Sequence, residues 1–238
     1  MTRPPTFGSL FAGIGGLDLG LERAGWECRW QVEIDDYCRR VLAKHWPAVP
    51  KYGDIRDLSG EELERVDLIA GGFPCQDISN AGRRAGIAGE RSGLWGEFAR
   101  LIRVLRPRFV LVENVESLAL RGLERVLGDL ALLGYDAEWS LLSACALGAP
   151  HTRERLFILA YPQGGREGQL WRLQRAQGRE AARDVPWAAG EPGIHRVADG
   201  VPARVDRLRG LGNAVVPQVA EFIGRRLLAA SEREEGAA

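Results

Sequence analysis

The sequence predicts an α/β fold with a mostly parallel, Rossmann-like sheet, and three observations favour it. Short, uninterrupted apolar runs such as Phe109–Val112 are typical of parallel strands that are buried on both faces. Between these runs, apolar residues recur at helical spacing. Glycines within Gly13–Gly16 form a turn between the first apolar run and the first helical pattern, which is how dinucleotide-type βαβ units begin.

The composition narrows the class of protein. The chain has 238 residues, enough for one domain whose core needs no disulfide or metal support. Its 32 basic and 32 acidic side chains balance, so net charge neither demands nor excludes a nucleic acid partner. Four cysteines without a C-x-x-C pair, together with three histidines, predict reduced thiols and no metal site. No apolar run approaches the roughly 18 residues of a membrane span, and no secretory signal pattern begins the chain, so we expect a cytoplasmic protein.

The first part of the chain predicts a nucleotide-binding βαβ unit. A strand over Phe7–Phe11 leads into the glycine turn, and the helix after it ends at Gly25. A second strand follows over Cys28–Ile34, and Glu33 stands at its end, twenty residues after Gly13. An acid at this place accepts hydrogen bonds from ribose hydroxyls in nucleotide-binding sheets. The alternative is a solvated carboxylate without a ligand.

The remaining pattern predicts further elements that extend this sheet. Asp36 caps a helix whose inner face includes His45, which we expect in the core. The segment Ser59–Glu62 has the capping-box pattern and predicts a short helix. Strands are predicted at Tyr52–Ile55, Asp67–Ala70, Phe109–Val112, Glu138–Ala144 and Leu156–Ala160, and helices over Leu94–Leu105, Leu123–Leu133 and Val219–Leu227.

A lone cysteine stands beyond the strand over Asp67–Ala70. Two glycines, a phenylalanine and Pro74 separate Cys75 from that strand, which allows a tight turn with close backbone approach to a ligand. The thiol is thereby presented at a strand's carboxyl end, where open α/β sheets bind their ligands. Taken alone, such a cysteine is more often a small buried residue than a nucleophile.

Glu113 follows the apolar run of the next predicted strand. A carboxylate at the end of a buried strand is costly unless it is paired or protonated. The carboxyl ends of parallel strands meet at one edge of the sheet. A thiol at Cys75 and a carboxyl at Glu113 therefore form a candidate site at this edge.

Two groups of arginines could contact an anionic substrate. Arg83 and Arg84 lie in a polar, glycine-punctuated loop over residues 77–93, which predicts a mobile lid after the cysteine. Arg153 and Arg155 alternate, so in an extended segment both side chains face one side, where they could hold a phosphate or a carbonyl. The alternative for both groups is a solvated surface arginine.

The periodic pattern stops at Pro162, and three parts are predicted. Residues 1–162 form a catalytic and cofactor-binding domain, 163–200 a short, poorly patterned segment, and 201–238 a C-terminal segment whose helix packs back on the first domain. Between His151 and Arg209 there are eleven arginines against seven acidic residues, with two tryptophans, a composition that suits nucleic acid. A loosely ordered linker is the alternative for the middle segment.

Five motifs, in order along the chain, resemble those of one family. They are Phe11–Gly16, Gly72–Gln76, Glu113–Val115, His151–Arg155 and Gly212–Val215. The chain closely resembles the DNA cytosine-5 methyltransferases of bacteria and their phages, with matches over residues 7–161 and 207–228. The resemblance implies the sheet of S-adenosylmethionine-dependent methyltransferases, S-adenosylmethionine as the cofactor and double-stranded DNA as the substrate.

The resemblance also implies a mechanism and a set of site residues. Cys75 would add to C6 of a cytosine that has been flipped out of the duplex. Glu113 would hydrogen-bond the base at N3 and N4, and Arg155 would hold its carbonyl with Arg153 as support. The implied cofactor contacts are Phe11, Gly13, Gly15, Gly16, Glu33, Asp54, Ile55, Pro74, Leu94, Asn213, Ala214 and Val215, and the implied DNA contacts are Gln76, Ser79, Arg83, Arg84 and His151.

Three departures from the family pattern bear on function. His151 stands where the family usually has glutamine, and the segment between Arg155 and Asn213 is much shorter than the family's recognition domain, so the resemblance implies a reduced target-recognition segment over residues 163–200. The family's conserved segment just before the last motif also has no clear counterpart in this sequence. The alternatives are a non-catalytic or partner-dependent DNA-binding protein, an RNA methyltransferase of the same superfamily, and a nicotinamide-dependent dehydrogenase. Expected partners besides DNA are a cognate restriction endonuclease or a protein that supplies recognition, and DNA binding implies association with the nucleoid.

Overall fold

The computed structural model describes residues 3–74, 93–164 and 204–235, and these residues contain one seven-stranded sheet. The strands are β1 (Thr6–Leu10), β2 (Glu27–Val32), β3 (Lys51–Tyr52), β4 (Leu68–Gly71), β5 (Phe109–Asn114), β6 (Tyr135–Ser143) and β7 (Glu154–Pro162). The described helices are α1 (Gly16–Arg23), α2 (Asp36–His45), α3 (Gly93–Leu105), α4 (Leu118–Arg121), α5 (Leu123–Leu132), α6 (Arg204–Asn213) and α7 (Pro217–Glu235). Short 3₁₀ helices lie at Ile55–Asp57 and Ala144–Leu147.

The strands lie in the order β3-β2-β1-β4-β5-β7-β6. All neighbours from β3 to β5 pair in parallel, whereas β7 is antiparallel to both β5 and β6. The predicted mostly parallel α/β sheet is therefore confirmed. The antiparallel pair at one edge follows from the short connection between β6 and β7, which is too short for a crossover helix.

Two apolar layers cover the two faces of the sheet. In β5, Val110 and Val112 point into the layer formed with α3 and α5, while Phe109 and Leu111 point into the layer formed with α1 and α7. Successive strand residues face opposite sides, so a strand covered on both sides must be apolar throughout. This is why the uninterrupted apolar runs identified the central strands correctly.

The C-terminal helix α7 packs closely against α1. A Cβ at Gly20 would lie 2.3 Å from the carbonyl oxygen of Pro217, and a Cβ at Gly224 would lie 2.7 Å from the Cβ of Ala24. The indole of Trp26 donates a hydrogen bond of 3.0 Å to the carbonyl of Gly224. These contacts bring the last motif of the chain next to the first. Neither α7 nor any other helix in the described segments is long and apolar enough to span a membrane.

A buried carboxyl lies beneath the glycine turn. Asp18 in α1 is fully buried, and it accepts hydrogen bonds from Ser9 Oγ at 3.0 Å and Gln31 Nε2 at 2.7 Å. Burial raises the pKa of Asp18 to about 6, and these hydrogen bonds lower it in part. The position corresponds to the third glycine of a dinucleotide fingerprint, so here the contact between helix and sheet is polar.

The expectations for Ser59–Glu62 and for His45 were wrong. The segment Ser59–Glu62 makes capping-box hydrogen bonds, with Ser59 N donating to Glu62 Oε1 at 2.9 Å, but it forms a turn and no helix. Gly60 has a φ of 97°, which takes the chain out of the right-handed helical region. His45 is exposed and does not belong to the core. Helix α6 was not predicted, because its sequence has little apolar periodicity.

Candidate active site

A cavity of about 730 Å³ opens at the carboxyl ends of the parallel strands. The segments that follow β1 to β5 each contribute to its wall, and the end of α6 with the turn after it completes the wall. A volume in this range is typical of sites for small molecules and cofactors. The sequence-predicted residues that line it are Phe11, Gly13, Glu33, Asp54, Ile55, Pro74, Leu94, Glu113, Arg155, Asn213, Ala214 and Val215.

The glycine turn after β1 has the left-handed backbone that glycine favours. Gly13 has a φ of 56° and Gly15 a φ of 85°, and Gly15 precedes the first turn of α1. Phe11 also has a positive φ, 54°, which is uncommon for a residue with a side chain. The backbone of this turn, rather than side chains, therefore forms the cavity wall near Gly13.

Two of the predicted cofactor contacts lie behind the wall. A Cβ at Gly15 would lie 2.5 Å from the ring of Trp46, and a Cβ at Gly16 would lie 2.3 Å from the carbonyl oxygen of Val215. Gly15 and Gly16 do not line the cavity. Their lack of a side chain lets α2 and the C-terminal turn approach the loop, so they shape the wall from outside.

Glu33 is fixed by main-chain hydrogen bonds. Its Oε2 accepts from the amide of Gly13 at 2.7 Å, and its Oε1 accepts from the amide of Asp35 at 2.8 Å. Each carboxylate oxygen can accept more than one hydrogen bond, so both can still receive a ligand hydroxyl. The carboxylate is thus oriented towards the cavity before any ligand binds.

A second carboxylate and an apolar surface lie farther along the same wall. Asp54 caps the short 3₁₀ helix, and its side chain accepts hydrogen bonds from the backbone and the guanidinium of Arg56. The Arg56 side chain holds the pKa of Asp54 below its usual value. Ile55, Leu94 and Phe11 line the cavity as apolar neighbours. Such a wall suits a flat, weakly polar ring with one amino group.

Glu113 is the principal charged group on the other side of the cavity. It is 9% exposed, and its Oε1 lies 3.2 Å from Nε of Arg155. Burial raises the pKa of Glu113 to about 7, although Arg155 and then Arg153 act to lower it. A Cβ at Gly72 would lie 2.5 Å from Glu113 Oε2, so a glycine there leaves room for the carboxyl. The carboxyl can therefore be either protonated or ionised near neutral pH.

Asn114 is a functional candidate that sequence reasoning did not single out. This buried side chain donates from Nδ2 to the carbonyl of Phe73 at 3.1 Å, and its Oδ1 accepts from the amide of Val115 at 2.9 Å. It therefore ties the end of β5 to the segment that leads to Cys75. The signal was present in the sequence: a buried amide at the end of an apolar strand needs hydrogen-bond partners.

The two arginines of the His151–Arg155 motif point to different places. Arg155 lies in β7 and pairs with Glu113. Arg153 precedes the strand with a φ of 25°, and its Nη2 donates to the carbonyls of Gly212 at 2.8 Å and Ala214 at 2.6 Å. The expectation that both face one side was wrong, because Arg153 is not in extended conformation.

Comparison with known proteins identifies the family. Residues 6–181 match the family model of C-5 cytosine-specific DNA methylases. The chain belongs to this family. The resemblance stated from the five motifs of the sequence is therefore confirmed.

Individual relatives agree with this assignment. The type II methyltransferase M.DsaV of Dactylococcopsis salina is 37% identical over 159 residues, covering 65% of this chain and 45% of that protein. M2.BsuMI of Bacillus subtilis (strain 168) is 39% identical over 163 residues, covering 64% and 41%. This chain thus spans less than half the length of either relative. The solved Dnmt2 methyltransferase of S. pombe is similar with a TM-score of 0.61 and 20% identity, over 79% of this chain and 58% of that one, which confirms the methyltransferase-type fold.

Several predicted site residues lie outside the residues that the structure describes. These are Cys75, Gln76, Ser79, Arg83 and Arg84. Pro74, the residue before the cysteine, is described and lines the cavity. It follows β4, which pairs directly with β5, the strand that carries Glu113. His151 is half-buried and does not line the cavity. Most of the predicted recognition segment is likewise not described.

Helix α6 supplies wall residues that sequence reasoning missed. Arg209 lines the cavity with its Nη1 3.8 Å from Asp35 Oδ2, and a Cβ at Gly210 would lie 2.9 Å from Ile14. Ile34 also lines the cavity and is 61% exposed, next to Glu33. No signal in the sequence marked this position, because the apolar pattern placed Ile34 inside the predicted strand over Cys28–Ile34.

Proposed function

We propose that this chain transfers a methyl group from S-adenosylmethionine to C5 of cytosine in double-stranded DNA. One observation carries the proposal: a single cavity joins the carboxylates after β2 and β3 to the Glu113–Arg155 pair at β5 and β7. The first pair suits a nucleoside, and the second suits the polar edge of a pyrimidine. A methyl donor and a base could therefore meet in one space.

The residues around the first half of the cavity fit S-adenosylmethionine. Glu33 can accept hydrogen bonds from the ribose hydroxyls, and Asp54 from the adenine amino group. Ile55 and Leu94 offer apolar surface to the adenine ring, and the backbone of Gly13 leaves room for the methionine part. The bound cofactor would supply an electrophilic methyl group on a positively charged sulfur.

Cys75 is the proposed nucleophile, because C5 of cytosine is too weak a nucleophile by itself. The thiolate forms a C–S bond to C6, and the electron pair of the C5–C6 double bond becomes available at C5. Glu113 in its protonated form donates to N3 and accepts from the N4 amino group, while Arg155 donates to the base carbonyl. Methyl transfer is followed by removal of the C5 proton by a base, and breaking of the C–S bond restores the thiolate.

The base must leave the duplex for this chemistry, at a cost of a few kcal/mol. Gln76, Ser79, Arg83, Arg84 and His151 are proposed to contact the DNA, on the strength of the family motifs. The expected association with the nucleoid depends on this DNA binding.

A second candidate function rests on the short segment between Arg155 and Asn213. Because that region carries sequence recognition in the family, the alternative is a protein that binds DNA only together with a partner that supplies recognition, or that binds without catalysis. A cognate restriction endonuclease remains a proposed partner of the active form. The presence of Glu113, Arg155 and Cys75 favours the catalytic proposal.

Transfer of labelled methyl groups to mixed-sequence duplex DNA tests the proposal, with Cys75→Ser as the matched control. We expect transfer by the unmutated chain and none by the variant. A duplex containing 5-fluorocytosine should become cross-linked at Cys75, because the fluorine at C5 blocks the elimination step. Absence of transfer with retained DNA binding would favour the second candidate, and transfer to RNA of the same sequence instead would favour an RNA methyltransferase.

A further inference from the structure

We infer that Arg153 is a positioning residue of the methyl-donor pocket, which holds the turn of residues 213–215 in place, and that it does not contact the target base. The inference deepens the proposed function and rests on it. It also divides the two arginines of one motif between the two halves of the cavity: Arg155 serves the base, and Arg153 serves the donor.

The contacts of Arg153 lead away from the base side. Its Nη2 uses two N–H groups to bind the carbonyls of Gly212 and Ala214, at 2.8 and 2.6 Å. Gly212, Ala214 and Val215 all line the cavity. Arg153 itself does not line it. A guanidinium used in this way fixes main-chain atoms, and through them the cavity wall.

The backbone of Arg153 explains why its side chain diverges from that of Arg155. Its φ of 25° places it in the left-handed region, and β7 begins only at the next residue, Glu154. Regular alternation would have put both guanidinium groups on the same side. The unusual backbone angle redirects the first one towards the C-terminal turn.

The accepting carbonyls are ones that need a partner. Helix α6 ends at Asn213, and the last carbonyls of a helix have no partner within the helix. The Gly212 carbonyl lies in the last turn of α6 and carries the negative end of the helix dipole, which a cation stabilises, whereas the Ala214 carbonyl lies just beyond the helix. Arg153 thus caps α6 from outside. Removing it leaves the Gly212 and Ala214 carbonyls without this charged donor, and the turn becomes less fixed.

The same turn is also supported by close packing. A Cβ at Gly16 would lie 2.3 Å from the carbonyl oxygen of Val215, so α1 and this turn are in direct backbone contact. The turn of residues 213–215 therefore has two supports, Gly16 and Arg153. Either support can be weakened separately by one substitution, which makes the arrangement testable.

The test uses the full chain and direct titration with S-adenosylmethionine and with S-adenosylhomocysteine, in the absence of DNA. We expect Arg153→Met to weaken the binding of both about tenfold, because two charge-assisted hydrogen bonds to the wall are lost. Cross-linking of 5-fluorocytosine DNA at saturating donor should stay within about threefold of the unmutated rate, since the base side is intact. Arg103→Met, an exposed arginine of α3, is the matched control and should leave donor affinity unchanged.

Arg153→Lys separates positioning from charge. The lysine keeps the positive charge that acts on Glu113, but it lacks the planar fork of the guanidinium. An intermediate donor affinity in Arg153→Lys supports the inference. Full donor affinity in both variants, or loss of cross-linking at saturating donor with normal donor affinity, overturns it. If Arg153→Met does not fold, as judged by its thermal transition, Arg153→Lys still decides the question.

A double substitution tests whether Arg153 and Gly16 act on the same turn. Gly16→Ala should also weaken donor binding, because the new methyl group would collide with the Val215 carbonyl. If both act through one turn, the loss in the double variant is smaller than the product of the two single losses. A loss of donor affinity in the double variant that equals the product of the two single losses would overturn the shared role. Failure of the unmutated chain to bind S-adenosylmethionine would contradict the proposed function itself. That result differs from one in which the unmutated chain and the Arg153 variants bind the donor equally well, which would overturn only the inference about Arg153.

Discussion

Glu33 and Glu113 stand at the same edge of one sheet, yet they are held in opposite ways. Glu33 is half-buried, and both of its oxygens accept hydrogen bonds from backbone amides, those of Gly13 and Asp35. Glu113 is 9% exposed, and the partner of its carboxylate is the guanidinium of Arg155 at 3.2 Å. The first depends on main-chain geometry, and the second depends on a buried charge pair.

This difference shows how the two halves of the cavity are organised. Main-chain amides do not titrate and survive most side-chain substitutions, so the donor half should tolerate single changes. A buried ion pair that loses one partner leaves an uncompensated charge, which costs several kcal/mol. Substitutions on the base half should therefore reduce turnover more than substitutions on the donor half.

The largest effect is expected for Glu113→Ala. The change removes the group that would bind N3 and N4 of the base, and it leaves Arg155 without its carboxylate partner. We expect kcat to fall about 10²- to 10³-fold, while the affinity for S-adenosylmethionine changes little. Methyl-transfer kinetics and donor titration measure the two quantities. An unchanged kcat would contradict the assigned role.

Glu113→Gln is the control for this prediction, since it keeps the shape and resembles the protonated acid. The pKa of Glu113 is raised to about 7 by burial, so the carboxyl is protonated below that pH and ionised above it. If the protonated form is required, the ratio of kcat for the unmutated chain to that for the glutamine variant falls as pH rises through about 7. A ratio independent of pH would show that ionisation of Glu113 does not matter.

A smaller loss is expected for Gly72→Ala. The added Cβ would lie 2.5 Å from Glu113 Oε2, so the carboxyl must move away from its position in the cavity. We expect kcat to fall about tenfold, because small displacements of a catalytic group reduce the rate. Gly96→Ala, on the exposed side of α3 with no atom within 4 Å of the new Cβ, is the control. Equal kcat values for the two variants would refute the prediction.

On the donor half, Glu33→Gln should weaken S-adenosylmethionine binding about five- to tenfold. The amide has a single acceptor oxygen, so either the Gly13 or the Asp35 backbone amide loses its partner. Turnover at saturating donor should stay near normal, because the base half is not affected. A fall in kcat as large as that of Glu113→Ala would remove the distinction between the two halves.

The smallest effect on turnover is expected at a third carboxyl, Asp18, which accepts hydrogen bonds from the neutral side chains of Ser9 and Gln31. Glu22 raises the pKa of Asp18 further, and Lys51 is also close enough to interact with it. Burial raises the pKa to about 6 from an ordinary 3.8, so the folded state binds the proton more tightly than the unfolded state does. Stability from this group is therefore full below about pH 4 and is lost as pH rises to about 6.

Asp18→Asn removes this titration and nearly preserves the shape. The unfolding free energy of the variant, relative to that of the unmutated chain, should rise by about 2–3 kcal/mol between about pH 4 and about pH 6, and then stay level. Denaturant unfolding at several pH values measures it. Parallel curves for the two proteins would show that Asp18 does not titrate between them.

The sequence predicted those parts of the fold and site that depend on local pattern. Buried strands such as β5 were recognised because residues covered on both faces must be apolar, and a carboxylate directly after such a strand stands out. Helix α3 over Gly93–Leu105 was predicted almost to its ends for the same reason, since its apolar residues recur at helical spacing. Glu33 and Glu113 were therefore found without any knowledge of tertiary contacts.

What the sequence did not predict depends on contacts between distant segments. Helix α6 packs through Gly210 against Ile14, and a glycine gives no apolar signal. The path of Arg153 depends on one left-handed backbone angle, which no pattern of alternation contains. The capping-box sequence at Ser59–Glu62 makes its local hydrogen bonds, but Gly60 turns the chain away from a helix. In each case a tertiary or single-residue feature overrides the local pattern.

The contact between Gly16 and Val215 has a consequence for how the protein is made. The pocket wall is assembled from the first βαβ unit and from a turn that leaves the ribosome far later. A nascent chain that already contains Glu33 and Asp54 would still lack the opposite wall until α6 and α7 emerge and dock on α1. Methyl-donor binding should therefore begin abruptly, late in translation, and chains stalled before Asn213 would remain empty.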